Sequence, residues 1–200
     1  MTYFEINRIC AEYGIKNHSI NDDMSISIIG HVNLTHKNLK SLPIKFKEVS
    51  GDFSCGYNQL TSLKNCPETV GGGFSCDNNQ LTSLEYCPET VGRGFFCSYN
   101  QLTSLEYCPE TVGGGFYCSG NNLTNFDGLP EFFEQFINLS RNPVFEIYCL
   151  FNQDPRCIYW IREFGAIQGD EVVRDRLEEV YHTLGMDIPK DIVLKKYIIV

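Results

Sequence analysis

The apolar positions of this chain recur in a fixed order with a step of 21 residues. Phe53, Phe74, Phe95 and Phe116 share one place in the cycle, and Cys55, Cys76, Cys97 and Cys118 stand two residues later. Leu60, Leu81, Leu102 and Leu123 form a third column. A polar column, Asn58, Asn79, Asn100, Asn121 and Asn142, keeps the same step. The clearest copy runs from Gly72 to Gly92 and reads GGFSCDNNQLTSLEYCPETVG. A unit this short cannot bury its apolar side alone, so the pattern predicts a solenoid whose coils share one core.

The positions within one coil predict its local structure. Phe74 and Cys76 alternate with Ser75, so a short strand points the first two inward and Ser75 outward. Asn79 follows where the chain leaves the strand. There a stacked amide can bond backbone groups of its own and a neighbouring coil. Leu81 and Leu84 continue the core, and Pro88 favours an extended, non-helical return. Gly71, Gly72 and Gly73 permit a tight turn into the next strand. Successive strands stack about 4.8 Å apart, giving a parallel sheet roughly 30 Å long. Removing Asn100 is expected to cost roughly 1–3 kcal/mol, and removing Asn142 at the end of the array less.

The cycle begins earlier than its clearest copies, since Val32, Leu34, Leu39, Leu42 and Val49 stand 21 residues before Phe53, Cys55, Leu60, Leu63 and Val70. Lys37 occupies the Asn place in this first coil. The fifth coil keeps Leu123, Phe126, Pro130 and Phe133, and a sixth strand carries Ile137, Leu139 and Asn142. The solenoid therefore spans residues 30–142. Before it, residues 1–29 read as an N-terminal cap. Thr2-Tyr3-Phe4-Glu5 has capping-box spacing, Ile6, Ile9, Cys10 and Tyr13 follow at helical spacing, and Gly14 stops the helix. Ile26, Ile28, Val32 and Leu34 then alternate as one or two half-buried strands.

Residues 143–200 read as a helical C-terminal cap. Val144, Ile147, Cys149, Leu150 and Phe151 are an apolar segment suited to sealing the last coil. Asp154-Pro155 begins a helix with Ile158, Ile161 and Phe164 on one side and Gly165 at its end. Asp170 is expected to open a second helix, with Val173, Leu177, Val180 and Leu184 as its apolar stripe. In it Arg174 and Glu178 pair at i,i+4 and Gly185 is the stop. The tail IVLKKYIIV favours a strand. The fold class is thus an α/β repeat solenoid with a parallel sheet on its concave face and a helical cap at each end.

A net charge of -9 argues against a nucleic-acid or anionic-membrane binder, because phosphate contacts need clustered Lys and Arg. Ten cysteines would suggest disulfides in a small secreted protein, but Cys55, Cys66, Cys76, Cys87, Cys97, Cys108 and Cys118 fall in two columns of the repeat. Such columns are explained as buried, reduced core. The opening MTYFEINRIC has no basic stretch followed by an apolar run, and no segment approaches 18 apolar residues. A cytoplasmic protein is expected.

The frame F-x-C-x-x-N-x-L-x-x-L-x-x-C-P is similar to a leucine-rich repeat with an aromatic residue and Cys at two of the usual Leu places. The Pro and the run Asn-x-Leu-Thr-Ser-Leu resemble the short bacterial type found in secreted effector proteins. The entry HVNLTHKNLKSLP, the NQLTSL coils and the exit NPVFEIYCLF resemble small leucine-rich-repeat proteins of tailed bacteriophages. This resemblance covers about residues 20–155 and implies the leucine-rich-repeat fold. It implies little about activity. The ubiquitin-ligase domain of effector relatives has no counterpart in the short segment after the repeats.

The outward strand positions vary between coils, whereas the inward ones hardly do. Ser54, Tyr57, Ser75, Asp77, Asn78, Phe96, Tyr99, Tyr117, Asn138 and Arg141 are the candidate partner-binding residues on the concave face. Phe96, Tyr99, Tyr117 and Phe136 put aromatic surface where the fold does not require it, a mark of interfaces. The competing explanation is that these rings only stack on one another. No catalytic frame, metal-ligand spacing or cofactor motif is present, since zinc needs convergent ligands and C-x-x-C does not occur. Cys157 with His182 is a nucleophile–base pair by coincidence of type only. Glu68, Glu85, Glu89, Glu106 and Glu110 form a solvated acidic outer face. The expected function is a non-enzymatic module that engages a protein partner, a host defence component if the phage resemblance holds. The alternative is capture of a small anionic ligand, such as a signalling nucleotide, by the aromatic groove or the C-terminal helices. Arg141, Arg156, Arg162, Arg174 and Arg176 give that alternative its electrostatic support.

Overall fold

The computed structural model describes residues 1–129 and 136–200. Helix α1 (Tyr3–Tyr13) begins on the expected capping box: Thr2 accepts from the Glu5 amide while the Glu5 carboxylate accepts from the Thr2 amide. Gly14 ends it in the left-handed conformation, φ 69°. Strands β1 (His18–Ile20) and β2 (Ile26–Ile28) form an antiparallel hairpin, and β3 (Val32–Asn33) opens the repeat.

Each coil then contributes two short strands rather than one. The first series is β4 (Phe46–Val49), β6 (Thr69–Val70), β8 (Thr90–Val91) and β10 (Thr111–Val112). The second is β5 (Phe53–Ser54), β7 (Phe74–Ser75), β9 (Phe95–Phe96), β11 (Phe116–Tyr117) and β12 (Ile137–Asn138). They build two six-stranded sheets, ordered β1-β2-β4-β6-β8-β10 and β3-β5-β7-β9-β11-β12. All pairs are parallel except β1–β2, and equivalent residues lie opposite one another, as with Phe53, Phe74 and Phe95. The phenylalanine sheet is the one expected from the sequence. The Thr-Val sheet is not, and it explains the return segments. The β-branched pair extends the chain after Pro, and the flanking amides bond from coil to coil, Glu89 N–H to Glu68 O at 2.9 Å and Gly92 N–H to Val70 O at 2.9 Å.

The core lies between the sheets. Phe53, Phe74, Phe95 and Phe116 are fully buried, with successive centroids 5.7, 5.7 and 5.0 Å apart. Burying such a ring contributes roughly 1.5–3 kcal/mol, so this column is a principal source of stability. Beside it the asparagines form the expected ladder. Asn100 Oδ1 accepts from Leu81 N–H at 3.0 Å, and its Nδ2 donates to the carbonyls of Cys76 and Cys97, each at 3.1 Å. Asn142 repeats this set on Leu123, Cys118 and Leu139, so the end of the array is as fully bonded as its middle. The expectation of a smaller role for Asn142 is therefore corrected. In coil one, where Lys37 replaces Asn, the Lys37 and Leu39 amides donate to Asn58 Oδ1.

The corner glycines serve a purpose other than backbone freedom. A Cβ at Gly71 would stand 2.4 Å from Ser50 O, and one at Gly92 2.3 Å from Gly71 O. These positions are small because the coils approach too closely for a side chain. Left-handed backbone occurs elsewhere with the period of the repeat, at His36, Tyr57, Asn78, Tyr99, Gly120 and Arg141.

Past the repeats the chain forms α2 (Phe145–Leu150), α3 (Arg156–Glu163), β13 (Ile167–Gln168), β14 (Glu171–Val172), α4 (Arg174–Leu184) and β15 (Ile198–Ile199). The expected second helix starts at Arg174 and not at Asp170. Glu171 and Val172 are held extended, because β14 pairs antiparallel with β13 and parallel with β15. Of the tail only Ile198–Ile199 is strand, and β14 is its partner. The Arg174–Glu178 pair, 2.9 Å, and the Gly185 stop are as expected. Tyr197 Oη donates to Thr124 O and Arg162 to Leu129 O, tying this region to the fifth coil. The fifth-coil residues Pro130 and Phe133 lie outside the described residues. Among the described residues no helix is long and apolar enough to cross a membrane.

Candidate functional site

Five of the ten candidate residues belong to strands of the phenylalanine sheet. Ser54, Ser75, Phe96, Tyr117 and Asn138 are the second residues of β5, β7, β9, β11 and β12. In-register pairing places them in one row: Ser54 beside Ser75, Ser75 beside Phe96, Phe96 beside Tyr117, Tyr117 beside Asn138. The Phe96 and Tyr117 rings stack at 4.7 Å with planes 5° apart, and Phe136 continues the row at 5.7 Å from Tyr117. Phe136 is 54% exposed, whereas Phe96 and Tyr117 are half-buried.

Part of that burial comes from glycines. A Cβ at Gly94 would stand 2.8 Å from the Phe96 ring, and one at Gly115 2.8 Å from the Tyr117 ring. Each ring lies over bare backbone of its own strand and shields it. The rings therefore do have a packing role, and the stack still presents its outer edges to solvent.

Tyr57, Asn78, Tyr99 and Arg141 occupy the left-handed corner, with φ of 54°, 55°, 54° and 59°. This conformation is uncommon for bulky residues. Tyr57 stacks on His36 at 4.5 Å, a partner the sequence reading did not select although its 21-residue spacing marks it. Gly120 leaves a gap in the corner column, and Tyr99 leans into it. A Cβ at Gly120 would stand 2.8 Å from the Tyr99 ring. Arg141 closes the far side, its guanidinium 5.8 Å from the Tyr99 centroid and Nη1 3.2 Å from the phenol oxygen.

Beneath these rows runs a polar strip. Asp77 Oδ1 accepts from the Ser98 amide at 2.6 Å and Oδ2 from the Ser75 hydroxyl at 3.1 Å. Burial pushes the Asp77 carboxyl upward, the hydrogen bonds from Ser98 and Ser75 opposing it in part. Ser119 donates to Ser98 at 3.2 Å, and Asn138 Oδ1 accepts from Ser140. Asp52 at the near edge accepts from the Gly73 amide at 2.7 Å, and its other oxygen lies 3.1 Å from His31 Nδ1.

The other candidates do not assemble into a site. All ten cysteines are free thiols, and Cys55, Cys66, Cys76, Cys97 and Cys118 are buried. Burial pushes the Cys108 thiol up to about 12 and raises those of Cys66, Cys76, Cys87, Cys97 and Cys157, the reverse of an activated nucleophile. Among the described residues no group of three or more His, Cys, Asp or Glu is placed to hold a metal ion. The arginines invoked for an anionic ligand are each engaged within the chain. Arg156 pairs with Asp154, Arg162 bonds Leu129 O, Arg174 pairs with Glu178, Arg176 bonds Gly165 O and Arg141 bonds Tyr99. Comparison with protein-family models, with curated proteins and with solved structures finds no match to this chain.

Proposed function

We propose that this chain is a non-enzymatic binding module whose outer phenylalanine-sheet face engages a protein partner. The observation that carries the reading is the row Ser54, Ser75, Phe96, Tyr117, Asn138. Its neighbours inside the core repeat from coil to coil, yet this row changes from Ser75 to Phe96 to Tyr117 to Asn138 and gathers a half-exposed aromatic stack. Rigid rings held over glycine bring large contact area at little ordering cost, the property of interface anchors. The engaged arginines weaken the case for a small anionic ligand.

In its finer form the proposal is a leucine-rich-repeat solenoid of the short bacterial type, with the first helix and the C-terminal helices as end caps. Buried Ile6 and Cys10 on α1, and the Tyr197 and Arg162 bonds to coil five, support the caps. The resemblance to phage proteins makes a host protein, such as a defence component in the host cytoplasm, the partner we propose. The buried free thiols fit that reducing compartment. Co-purification from host lysate identifies the partner, and the double variant Phe96→Ala/Tyr117→Ala then tests the face. Binding should weaken by about 2 kcal/mol or more, as for hot-spot aromatics. Binding unchanged in this variant but lost in Arg174→Ala/Arg176→Ala refutes the reading.

A further inference from the structure

The aromatic stack ends on an open ring face. Phe136, Tyr117 and Phe96 follow one another along the row, and the place beyond Phe96 is taken by Ser75, too small to continue it. The side of the Phe96 ring turned toward that coil looks over Gly73, where even a Cβ would be 3.8 Å from Cε2. This slot has Phe96 as a wall and Gly73 and Ser75 as a floor, and the next residue of the row, Ser54, is also small.

Its rim is acidic. Asp52 Oδ1 accepts from the Gly73 amide at 2.7 Å with His31 beside its other oxygen, and Asp77 Oδ2 holds the hydroxyl of Ser75. Asp77 is half-buried, and its hydrogen-bond partners among the described residues are an amide and hydroxyls with no cation. A carboxylate in such a position is stabilised by any cation that reaches it, and a surface with net charge -9 draws cationic partners.

Extending a ring stack while pairing carboxylates requires a group both planar and positively charged. A lysine ammonium has the charge but no plane, and a neutral aromatic ring has the plane but brings no positive charge to the carboxylates. A nucleotide would bring phosphate into an acidic rim. Guanidinium meets both demands, because it stacks on aromatic faces and bonds carboxylates through a rigid fork. The chain already uses this solution at the other end of the face, where Arg141 closes over Tyr99.

Resting on the protein-binding reading of this face, we infer that the partner inserts an arginine into the slot, its guanidinium stacked on Phe96 and paired with Asp77 and Asp52. The partner is therefore a protein with a protruding arginine, and this contact sets its register along the row.

The test uses the tripeptide Ac-Gly-Arg-Gly-amide titrated into the isotope-labelled full chain, followed by NMR. Saturable shifts should centre on the amides of Gly73, Ser75 and Asp77, with ring-current shifts of the arginine δ-methylene protons. The lysine peptide should bind at least about threefold more weakly, and the citrulline peptide, planar but uncharged, should give no saturable shift. Asp77→Asn keeps an acceptor for the Ser98 amide and should weaken the arginine peptide by about fivefold or more. Equal binding of arginine and citrulline peptides, or shifts centred elsewhere, overturns the inference. Partner binding abolished by Phe96→Ala/Tyr117→Ala without any arginine-specific shift would leave the face in place and remove the arginine alone. Arginine-specific shifts with partner binding indifferent to that variant would overturn the partner contact and the function together.

Discussion

Replacing Asn100 by Ala removes one side chain and strands a buried backbone amide. The Leu81 amide loses its acceptor in a region where Asn100 itself is 8% exposed, while the carbonyls of Cys76 and Cys97 each lose one of two Nδ2 donors and keep those of Asn79 and Asn121. An orphaned buried amide costs about 1–3 kcal/mol, and the two carbonyls, each still bonded to another asparagine, add little to it. Such a cost is a sizeable share of the roughly 5–15 kcal/mol that holds a domain together. Asn142→Ala should cost a comparable amount, since its bonds to Leu123, Cys118 and Leu139 are equivalent. Urea denaturation followed by far-UV circular dichroism measures both, as a shift of midpoint at constant slope. Asn100→Asp is the companion variant, keeping the acceptor for Leu81 while setting a carboxylate against two carbonyls. It should be worse than Ala at neutral pH and recover on acidification, because the protonated acid regains a donor. Losses below about 1 kcal/mol at both asparagines would mean that water replaces the amides, and the ladder argument would fail.

Thiol titration with an aromatic disulfide reagent should find only Cys149, the exposed one, reacting rapidly in the native protein, and all ten after denaturation without reductant. Fewer than ten would reveal disulfides and contradict the core assignment. Gly128→Ala should destabilise by about 2 kcal/mol or more in the same denaturation assay, since φ there is +80° and a Cβ would stand 2.2 Å from the Glu106 amide nitrogen. A neutral effect would exclude that backbone geometry. Because burial raises the Asp77 pKa in the folded state, the native form holds its proton more tightly than the unfolded chain. Stability should therefore fall as pH rises from the ordinary carboxylate value through the raised one, and Asp77→Asn should remove that component. An identical pH profile in the variant would refute it.

The length of the coil, the inward columns and the asparagine ladder were legible in the sequence because each is a local pattern repeated at fixed spacing. Repetition forces identical neighbours into register, so Phe53, Phe74 and Phe95 announce both their burial and their pairing. The same holds for the capping box of α1 and the Gly185 stop, which act within one turn. The Thr-Val sheet was not legible, since two residues per coil carry no alternation and their pairing depends on how coils stack. The start of α4 was set against its own periodicity by β14, whose partners β13 and β15 come from both sides of it in the chain. The candidate face divides in the same way. Its membership followed from the outward phase of the strands. Its chemistry required the packed structure: rings seated on Gly94 and Gly115, Tyr99 leaning over Gly120 to Arg141, and the arginines of the C-terminal region already bonded. Those are contacts between side chains and backbone that only stacking brings together, and a sequence read along its length carries no record of them.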